Sequence, residues 1–351
     1  MKNVLLLLAL AGCGDEPHGW PTGSDGTDAS DHSDLPDGPF GFIGSPCESD
    51  LDCDYDGGVC LTDADGYPDG MCSAPCDRFC DDAEGHPTTF CVDELQVPAS
   101  PEEWDGGCFS RCDFGVFPDS GCRDGYGCSV ADRANDPART YVCQPGAQTE
   151  LSDCPAALAE RGVPFELMVV DPSSPADHPE LTCSVADPVM ILGEIHGVEL
   201  RYANNTTPAR TLAACEMALS LTDTVDDVRE FGVTELYHLG TYNCRVISGT
   251  NSLSRHAFGD AIDIAGFGFE DGTQWTLIDD WEHDTTEPRT DAGKFLRSSA
   301  YRWYEEDYWN IILTPNYNAA HDDHFHIDLT PGSDFIQATG NRFIGPAPYA
   351  D

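Results

Sequence analysis

The chain has 351 residues, and its 63 acidic side chains against 17 basic ones give a formal net charge of −46. A surface of that charge repels polyanions, so nucleic acid is excluded as an expected partner. The same charge disfavours direct docking on anionic lipid surfaces.

The first thirteen residues have the composition of a secretory signal. They carry one positive charge at Lys2, an apolar run from Val4 to Ala11, and small residues before Cys13. The order Leu10-Ala11-Gly12-Cys13 resembles a bacterial lipobox, which implies a lipid on Cys13 that anchors the protein to a membrane. An ordinary signal peptide with a coincidental cysteine is the alternative. We predict an exported lipoprotein of the cell envelope, held at the outer membrane or the cell surface.

Residues 14–44 are rich in Gly, Asp, Pro and Ser and contain almost no aliphatic side chains before Phe40. Such a segment cannot bury enough apolar area to offset the entropy lost on ordering. We therefore predict an acidic, flexible linker over residues 14–44.

The cysteines divide the rest of the chain in two. Of seventeen cysteines, Cys13 is the predicted lipid site, which leaves twelve between Cys47 and Cys143 and four after residue 147. Both sets are even, as expected for two separately oxidised domains, here a disulfide-rich region over 45–146 and a domain over 147–351. The order of the cysteines does not give their connectivity.

Alternatives to disulfides exist in the cysteine-rich region. Pairs such as Cys72 and Cys76, with three residues between them, are tolerable for a zinc finger, but the expected oxidising location favours disulfides. The acidic cluster at 63–69 lacks the spacing of an EF-hand calcium loop. The Gly-and-Cys turns at 70–76 and 107–112 look like two loose copies of one unit, and this region contains no catalytic constellation.

Two motifs in the second half of the chain carry the chemistry. S-R-H-A-F-G-D-A-I-D contains His256 and Asp263, and H-D-D-H-F-H contains His324 and His326 about sixty residues later. A strand over His324–Leu329 would put the last two rings on one face. Two imidazoles and a carboxylate are a ligand set that Zn²⁺ accepts when its fourth position stays open for water. We predict a zinc hydrolase site of His256, Asp263 and His326, and the chain has no G-x-S-x-G elbow for a serine nucleophile.

These motifs resemble those of known families. S-x-H-x-x-G-x-A-x-D followed by H-x-H is the signature of the LAS metallopeptidases, which include D-Ala-D-Ala peptidases, lysostaphin-like enzymes and the hedgehog fold. Within that group, the segments 242–245, 253–267 and 314–318 look like the bacterial extensin-like C-terminal domain family, over about residues 150–345. The H-D-D-H-F-H string is also similar to the metal-binding segment of penicillin-insensitive murein endopeptidases. In those enzymes the last histidine is a ligand and the two earlier ones line the active site.

Local patterns predict the elements of the second domain. Apolar spacing predicts a helix over Pro208–Leu221 with Thr207 as its N-cap, and a second helix over Asp291–Glu306. Four further strands are predicted, at Val233–Leu239, Ile262–Phe269, Trp275–Ile278 and Trp309–Leu313. This mixture indicates an α+β domain with a mostly antiparallel sheet under helices. The resemblance implies the same architecture, that of hedgehog and D-Ala-D-Ala peptidases.

Five further residues have predicted roles around the zinc. His324 is the candidate for proton transfer or oxyanion stabilisation, His321 could assist it, and Asp323 is the second choice of base. Arg245 could bind a substrate carbonyl or carboxylate, although a surface ion pair is the alternative. Asp328 could orient a ligand histidine.

These residues predict a zinc peptidase or amidase that acts on peptidoglycan or another cell-wall peptide. The alternative is a non-catalytic surface lipoprotein whose zinc domain and cysteine-rich region bind cell-wall fragments. His196, His238 and His283 are expected to be structural or solvent-facing rather than catalytic. The bond attacked and the oligomeric state do not follow from the sequence.

Overall fold

The computed structural model describes residues 41–98, 103–112, 122–147, 151–205 and 207–336. The predicted signal, the predicted lipid site at Cys13 and most of the predicted linker lie outside these residues. Phe42 and Ile43, at the end of that linker, are buried against the cysteine-rich region. In the described parts of the chain, no helix has both the length and the apolar character needed to span a membrane.

The cysteine-rich region contains three β-hairpins, each built around four cysteines. The strands are β1 Val59–Leu61, β2 Met71–Ser73, β3 Thr89–Asp93, β4 Gly106–Ser110, β5 Tyr126–Asp132 and β6 Arg139–Pro145. In each unit the first cysteine bonds to the third and the second to the fourth, in the pairs 47–60, 53–72, 76–91, 80–108, 112–128 and 122–143. These bridges confirm the disulfide-rich region and leave no thiolates for zinc among these twelve cysteines.

The three hairpins share one apolar core, and the bridges hold the strands of each hairpin together. The third and fourth cysteines of each unit face each other across the hairpin, as Cys60 faces Cys72. Arg123 ties the third unit to the first, because its guanidinium donates to the carbonyls of Gly44 (3.1 Å) and Pro68 (2.9 Å). The carboxylates of the acidic cluster bind local backbone, and Asp65 accepts from the backbone N–H of Thr62 at 2.9 Å.

The C-terminal region combines four helices with eleven strands within the described residues. Its first elements are α1 Asp153–Glu160, β7 Phe165–Leu167, β8 Pro188–Leu192, β9 Glu194–Ile195, β10 Val198–Tyr202, β11 Arg210–Ala214, α2 Cys215–Arg229 and β12 Val233–Gly240. The later ones are β13 Ala261–Phe269, β14 Gln274–Thr276, α3 Leu277–Asp280, α4 Asp291–Glu305, β15 Ile311–Leu313, β16 Phe325–Asp328 and β17 Phe335–Ile336. The bridges Cys154–Cys215 and Cys183–Cys244 complete the pairing of all sixteen cysteines that follow Cys13.

The main sheet has eight strands in the order β17-β15-β16-β13-β12-β10-β9, with β14 paired to β13. Only the β10–β12 and β15–β17 pairs are parallel. A separate antiparallel sheet has the order β11-β8-β7. The prediction of an α+β domain with a mostly antiparallel sheet is confirmed.

One face of the main sheet packs on helices α2 and α4. Ile262, Ile264 and Ile327 are fully buried there, together with Trp303 from α4. The Trp303 indole N–H donates to Asp227 of α2 at 2.9 Å, so this buried polar group has a partner. The alternate residues of β13 and β16 consequently face away from the helices.

The predicted helix over Pro208–Leu221 is wrong at both ends. Residues Arg210–Ala214 form β11, whose pairing with β8 overrides the local helical spacing, and helix α2 runs from Cys215 to Arg229. Thr207 therefore caps no helix. The strand predicted over Trp275–Ile278 ends at Thr276, and Leu277 begins the short helix α3. The other predicted elements are present, with ends shifted by up to two residues.

The cysteine-rich and C-terminal regions belong to one compact unit. Arg139 of β6 forms an ion pair with Asp171 at 2.8 Å. Residues from both regions, among them Tyr141 and Leu167, line a shared cavity of about 90 Å³.

Candidate metal centre

His256 lies on a 3₁₀ turn, Arg255–Phe258, that leads into β13. Gly259 ends the turn with φ +66°, and a Cβ at this position would lie 3.0 Å from the Ala214 nitrogen and 3.0 Å from Val185 Cγ1. The motif therefore needs glycine both for its left-handed backbone and for its close packing. His256 itself is buried.

Asp263 and His326 face each other directly across the antiparallel pair β13–β16. Their chain neighbours Ile262, Ile264 and Ile327 point into the apolar core, so the two polar side chains lie on the opposite face of the sheet. The sheet register thus brings together two residues that are far apart in the sequence.

The donor atoms of His256, Asp263 and His326 form a small triangle. His256 Nε2 lies 3.2 Å from His326 Nδ1 and 3.2 Å from Asp263 Oδ2, and His326 Nδ1 lies 2.9 Å from Asp263 Oδ1. Donors at ~2.0–2.1 Å around a tetrahedral ion are about 3.3 Å apart, so the triangle has the size that zinc requires. The donor set and its spacing fit a zinc ion with an open fourth position.

Both ligand histidines are oriented by a second contact. The Nδ1–H of His256 donates to the Thr241 carbonyl at 2.9 Å, and the Nε2–H of His326 donates to Asp328 at 3.0 Å. A carbonyl and a carboxylate can only accept, so the lone pairs of His256 Nε2 and His326 Nδ1 are left for the triangle. Asp328 is buried and occupies the orienting position that the sequence predicts for it.

Without a bound metal, a proton on His326 supplies positive charge next to Asp263. Burial raises the pKa of Asp263, but its close contacts with His256 and His326 outweigh this effect and hold the pKa far below the usual range. Burial also lowers the pKa of His326, but hydrogen bonds to Asp263 and Asp328 outweigh this effect and raise it to about 9. The triangle therefore contains a negative Asp263 beside a positive His326, and a metal cation could take the place of the His326 proton.

Zinc binding is expected to release about one proton at pH 7, because His326 must lose its proton before it can coordinate. The apparent affinity should rise by about tenfold per pH unit and level off near pH 9. In the metal-free protein the raised pKa of His326 stabilises the fold. This stabilisation is fully present below pH ~6.5 and is lost as pH rises through about 9. Calorimetric titration in two buffers of different ionisation enthalpy measures the proton count. A pH-independent affinity between pH 6 and 8 would contradict this assignment.

Two further predicted residues form a pair beside the triangle. His324 Nδ1 bonds Asp323 at 2.7 Å, and its Nε2 lies 3.6 Å from Asp263 Oδ1. Asp323 is exposed, and its carboxylate contacts Nδ1 of His324, on the side of the ring that faces away from the triangle. The arrangement suits His324 for proton transfer and Asp323 for holding its ring.

His321 completes the histidine cluster. Its ring centroid lies 5.2 Å from that of His324 and 5.9 Å from that of His326. Burial lowers the pKa of His321 to about 4, and the two neighbouring histidines add to the effect. His321 is thus a neutral imidazole at physiological pH.

Arg245 is not joined to this cluster. It is exposed, it follows the bridged Cys244, and its carbonyl accepts from the Ser254 N–H at 3.0 Å. Across the part of the chain that the structure describes, no hydrogen bond or ion pair engages its guanidinium. The surface ion pair considered for Arg245 is therefore absent there.

Sequence reasoning missed several contributors to the site. Thr241 acts through its backbone carbonyl, which no sequence signal reveals. Asn318 and Tyr317 contact His321, and only their place in the T-P-N-Y-N segment marked them. His238, which the sequence predicts to be structural or solvent-facing, is fully buried and so not solvent-facing. Neither of its ring nitrogens has a hydrogen-bond partner in the described residues, and burial lowers its pKa to about 4 although Asp263 opposes this.

The fold and the cluster define an α+β domain with a His–Asp–His group on one face of its sheet that could hold a metal ion. Residues 152–336 match the family described as Extensin-like protein C-terminus, a span of 185 of the 351 residues. The chain belongs to this extensin-like family, as its motifs predict. Comparison with curated proteins and with solved structures gave no match.

Proposed function

We propose that the protein is a zinc-dependent peptidase or amidase of the cell envelope that hydrolyses peptide bonds in peptidoglycan. The observation that carries the proposal is the triangle of His256, Asp263 and His326, in which each pair of side chains approaches to 2.9–3.2 Å, with Oδ2 of Asp263 toward His256 and Oδ1 toward His326. A purely structural polar cluster would need no further titratable rings, whereas this one has His321 and His324 beside it. The proposal includes kinship with the LAS metallopeptidases and a hedgehog-like sheet, for which the S-x-H-x-x-G-x-A-x-D and H-x-H motifs are the support.

Each protein group has a defined task in this reaction. Zinc, when bound, supplies a Lewis acid that polarises the scissile carbonyl and lowers the pKa of a coordinated water toward ~7. Thr241 and Asp328 hold the two ligand rings by their N–H groups, at 2.9 and 3.0 Å. Asp263 carries the negative charge that offsets the cation.

Proton movement falls to His324. Water adds its oxygen to the carbonyl carbon of the amide, His324 Nε2 takes the proton, and the proton passes to the leaving nitrogen as the C–N bond breaks. The first products are a carboxylic acid and an amine, which become a carboxylate and an ammonium when the second proton of the water also moves to the amine, so atoms and charges balance. Asp323 keeps Nδ1 protonated throughout and stabilises the imidazolium that forms between the two transfers.

Arg245 is the proposed anchor for the substrate. Its guanidinium is exposed and has no partner in the described residues, and the bridge from Cys183 to Cys244 restrains the backbone beside it. An unpaired fork of donors in a strongly acidic protein is available to a carbonyl or carboxylate of the wall peptide.

Export to the cell envelope is part of the proposal. Eight disulfides in the described chain suit an oxidising compartment. The predicted lipid on Cys13 would then hold the enzyme at a membrane beside the wall.

The test uses the full chain, saturated with zinc, and purified peptidoglycan sacculi. We expect new free amino groups to appear with time, chelation to stop their release, and added zinc to restore it. Mass spectrometry of the soluble fragments identifies the bond. Saturable binding to sacculi without any new amine would overturn the enzyme and leave the wall-binding lipoprotein in its place.

A further inference from the structure

The ring of His321 is held from two sides by the segment that precedes it. The T-P-N-Y-N segment runs into the 3₁₀ turn Ala319–His321, for which Asn318 is the N-cap. The Tyr317 ring meets the His321 ring edge-on, with centroids 5.1 Å apart. Asn318 Oδ1 lies 2.9 Å from His321 Nδ1.

The backbone fixes which way the Asn318 amide points. The Ala320 N–H, which can only donate, lies 2.9 Å from the same Asn318 atom, so that atom is the carbonyl oxygen and not the nitrogen. An amide oxygen has two lone pairs and can accept from both neighbours at once.

The amide in turn fixes the tautomer of His321. Because Oδ1 can only accept, His321 Nδ1 must carry the proton, and in the neutral ring Nε2 then carries a lone pair. Within the described residues Nε2 has no hydrogen-bond partner, and its ring stands beside His324 and His326.

We propose that Asn318 is a positioning residue that fixes His321 as the Nδ1–H tautomer, so that Nε2 is a hydrogen-bond acceptor at the rim of the metal centre. The tautomer is a property of the folded chain, whereas its use to orient the attacking water or an N–H of the substrate rests on the proposed hydrolase activity. The amide of Asn318 cannot stabilise an imidazolium as the Asp323 carboxylate does, so His321 orients groups while His324 transfers the proton.

The experiment labels the histidines of the full, zinc-loaded chain with ¹⁵N and records long-range ¹H–¹⁵N correlations, which distinguish Nδ1–H from Nε2–H. The His321 signals are assigned by their loss in His321→Gln. We expect Nδ1–H in the wild type, the same in Asn318→Asp, which keeps an acceptor, and a mixture of tautomers in Asn318→Ala. Nε2–H in the wild type, or an unchanged pattern in Asn318→Ala, would overturn the proposal.

Measurements of activity and metal content distinguish the positioning of His321 by Asn318 from an effect on zinc binding or on the whole segment. Asn318→Ala should lower kcat by about tenfold to a hundredfold with KM and zinc content unchanged, and Asn318→Asp should restore most of it. Asn316→Ala is the matched control, because Asn316 accepts from the Trp281 indole at 3.1 Å and touches no histidine in the described chain. Loss of the Nδ1–H signature in that control would show a general loosening of the segment and contradict the specific role. If the wild type hydrolyses nothing, the proposed function fails while the tautomer measurement still decides the role of Asn318.

Discussion

Replacing His326 with alanine is expected to remove zinc from the protein and to lower the hydrolysis of peptidoglycan by at least about a thousandfold. His326 supplies one of three donors, and two donors cannot hold zinc against water. A thousandfold is about 4 kcal/mol, in the range of the several kcal/mol that a Lewis-acid metal supplies to a transition state. Inductively coupled plasma mass spectrometry should find about one zinc per chain in the wild type and none in the variant.

The variant also needs a check on folding, because the change leaves the buried Asp328 without its histidine partner and with only the Thr330 N–H among its hydrogen-bond donors in the described residues. His326→Gln offers an amide donor in place of the ring and serves as the second variant. His283→Ala is the matched control, since His283 is exposed and outside the cluster. Zinc retained by folded His326 variants, or lost from the His283 control, would be incompatible with the proposed site.

Replacing His324 with alanine is expected to lower kcat by about a hundredfold to ten-thousandfold, the usual effect of a general acid–base, without loss of zinc. The reason is geometric, because Nε2 of His324 lies 3.6 Å from Asp263 but the ring is not one of the three donors. Parallel measurement of kcat and metal content tells a proton carrier from a ligand. Zinc loss would make His324 a ligand, and unchanged kcat would remove it from the mechanism.

Asp323→Asn provides a graded comparison with His324→Ala. The asparagine can still accept from His324 Nδ1, but it no longer stabilises the imidazolium. A loss of about tenfold to a hundredfold is expected, smaller than that of His324→Ala. A loss as large as that of His324→Ala would instead support Asp323 as the base, the second choice that the sequence offered.

Much of the centre was accessible from the sequence because its residues lie in short motifs. The period of two along β16 puts His326 and Asp328 on the same face of the sheet. His256 lies on the turn that leads into β13, and Asp263 lies near the start of that strand. Local periodicity of this kind also gave the helix that begins at Asp291. Family membership followed from the same motifs.

The features that the sequence did not predict depend on pairing between segments that are distant in the chain. Residues Arg210–Ala214 have helical spacing, yet β8 supplies a partner strand about twenty residues away in the chain, and they become β11. Strand β12 contains irregularities near His238 that bring Gly240 opposite Asp263, and no local pattern encodes such a bulge. Thr241 orients His256 through a carbonyl that every residue type possesses, so its role is invisible in the sequence.

The disulfide arrangement also has consequences for biosynthesis. Each hairpin unit closes its two bridges within its own four cysteines, so under the proposed export one unit can form its bridges before the next has emerged. Four cysteines allow three pairings. Because each unit can form its bridges separately, few alternative pairings are available at any one time. The bridges Cys154–Cys215 and Cys183–Cys244 interleave and each span 61 residues, so the second of them can close only after about half of the domain over 147–351 has emerged. The second of them restrains the loop beside the candidate metal centre, so the proposed export requires oxidation to continue through the first half of this domain for the site to be complete.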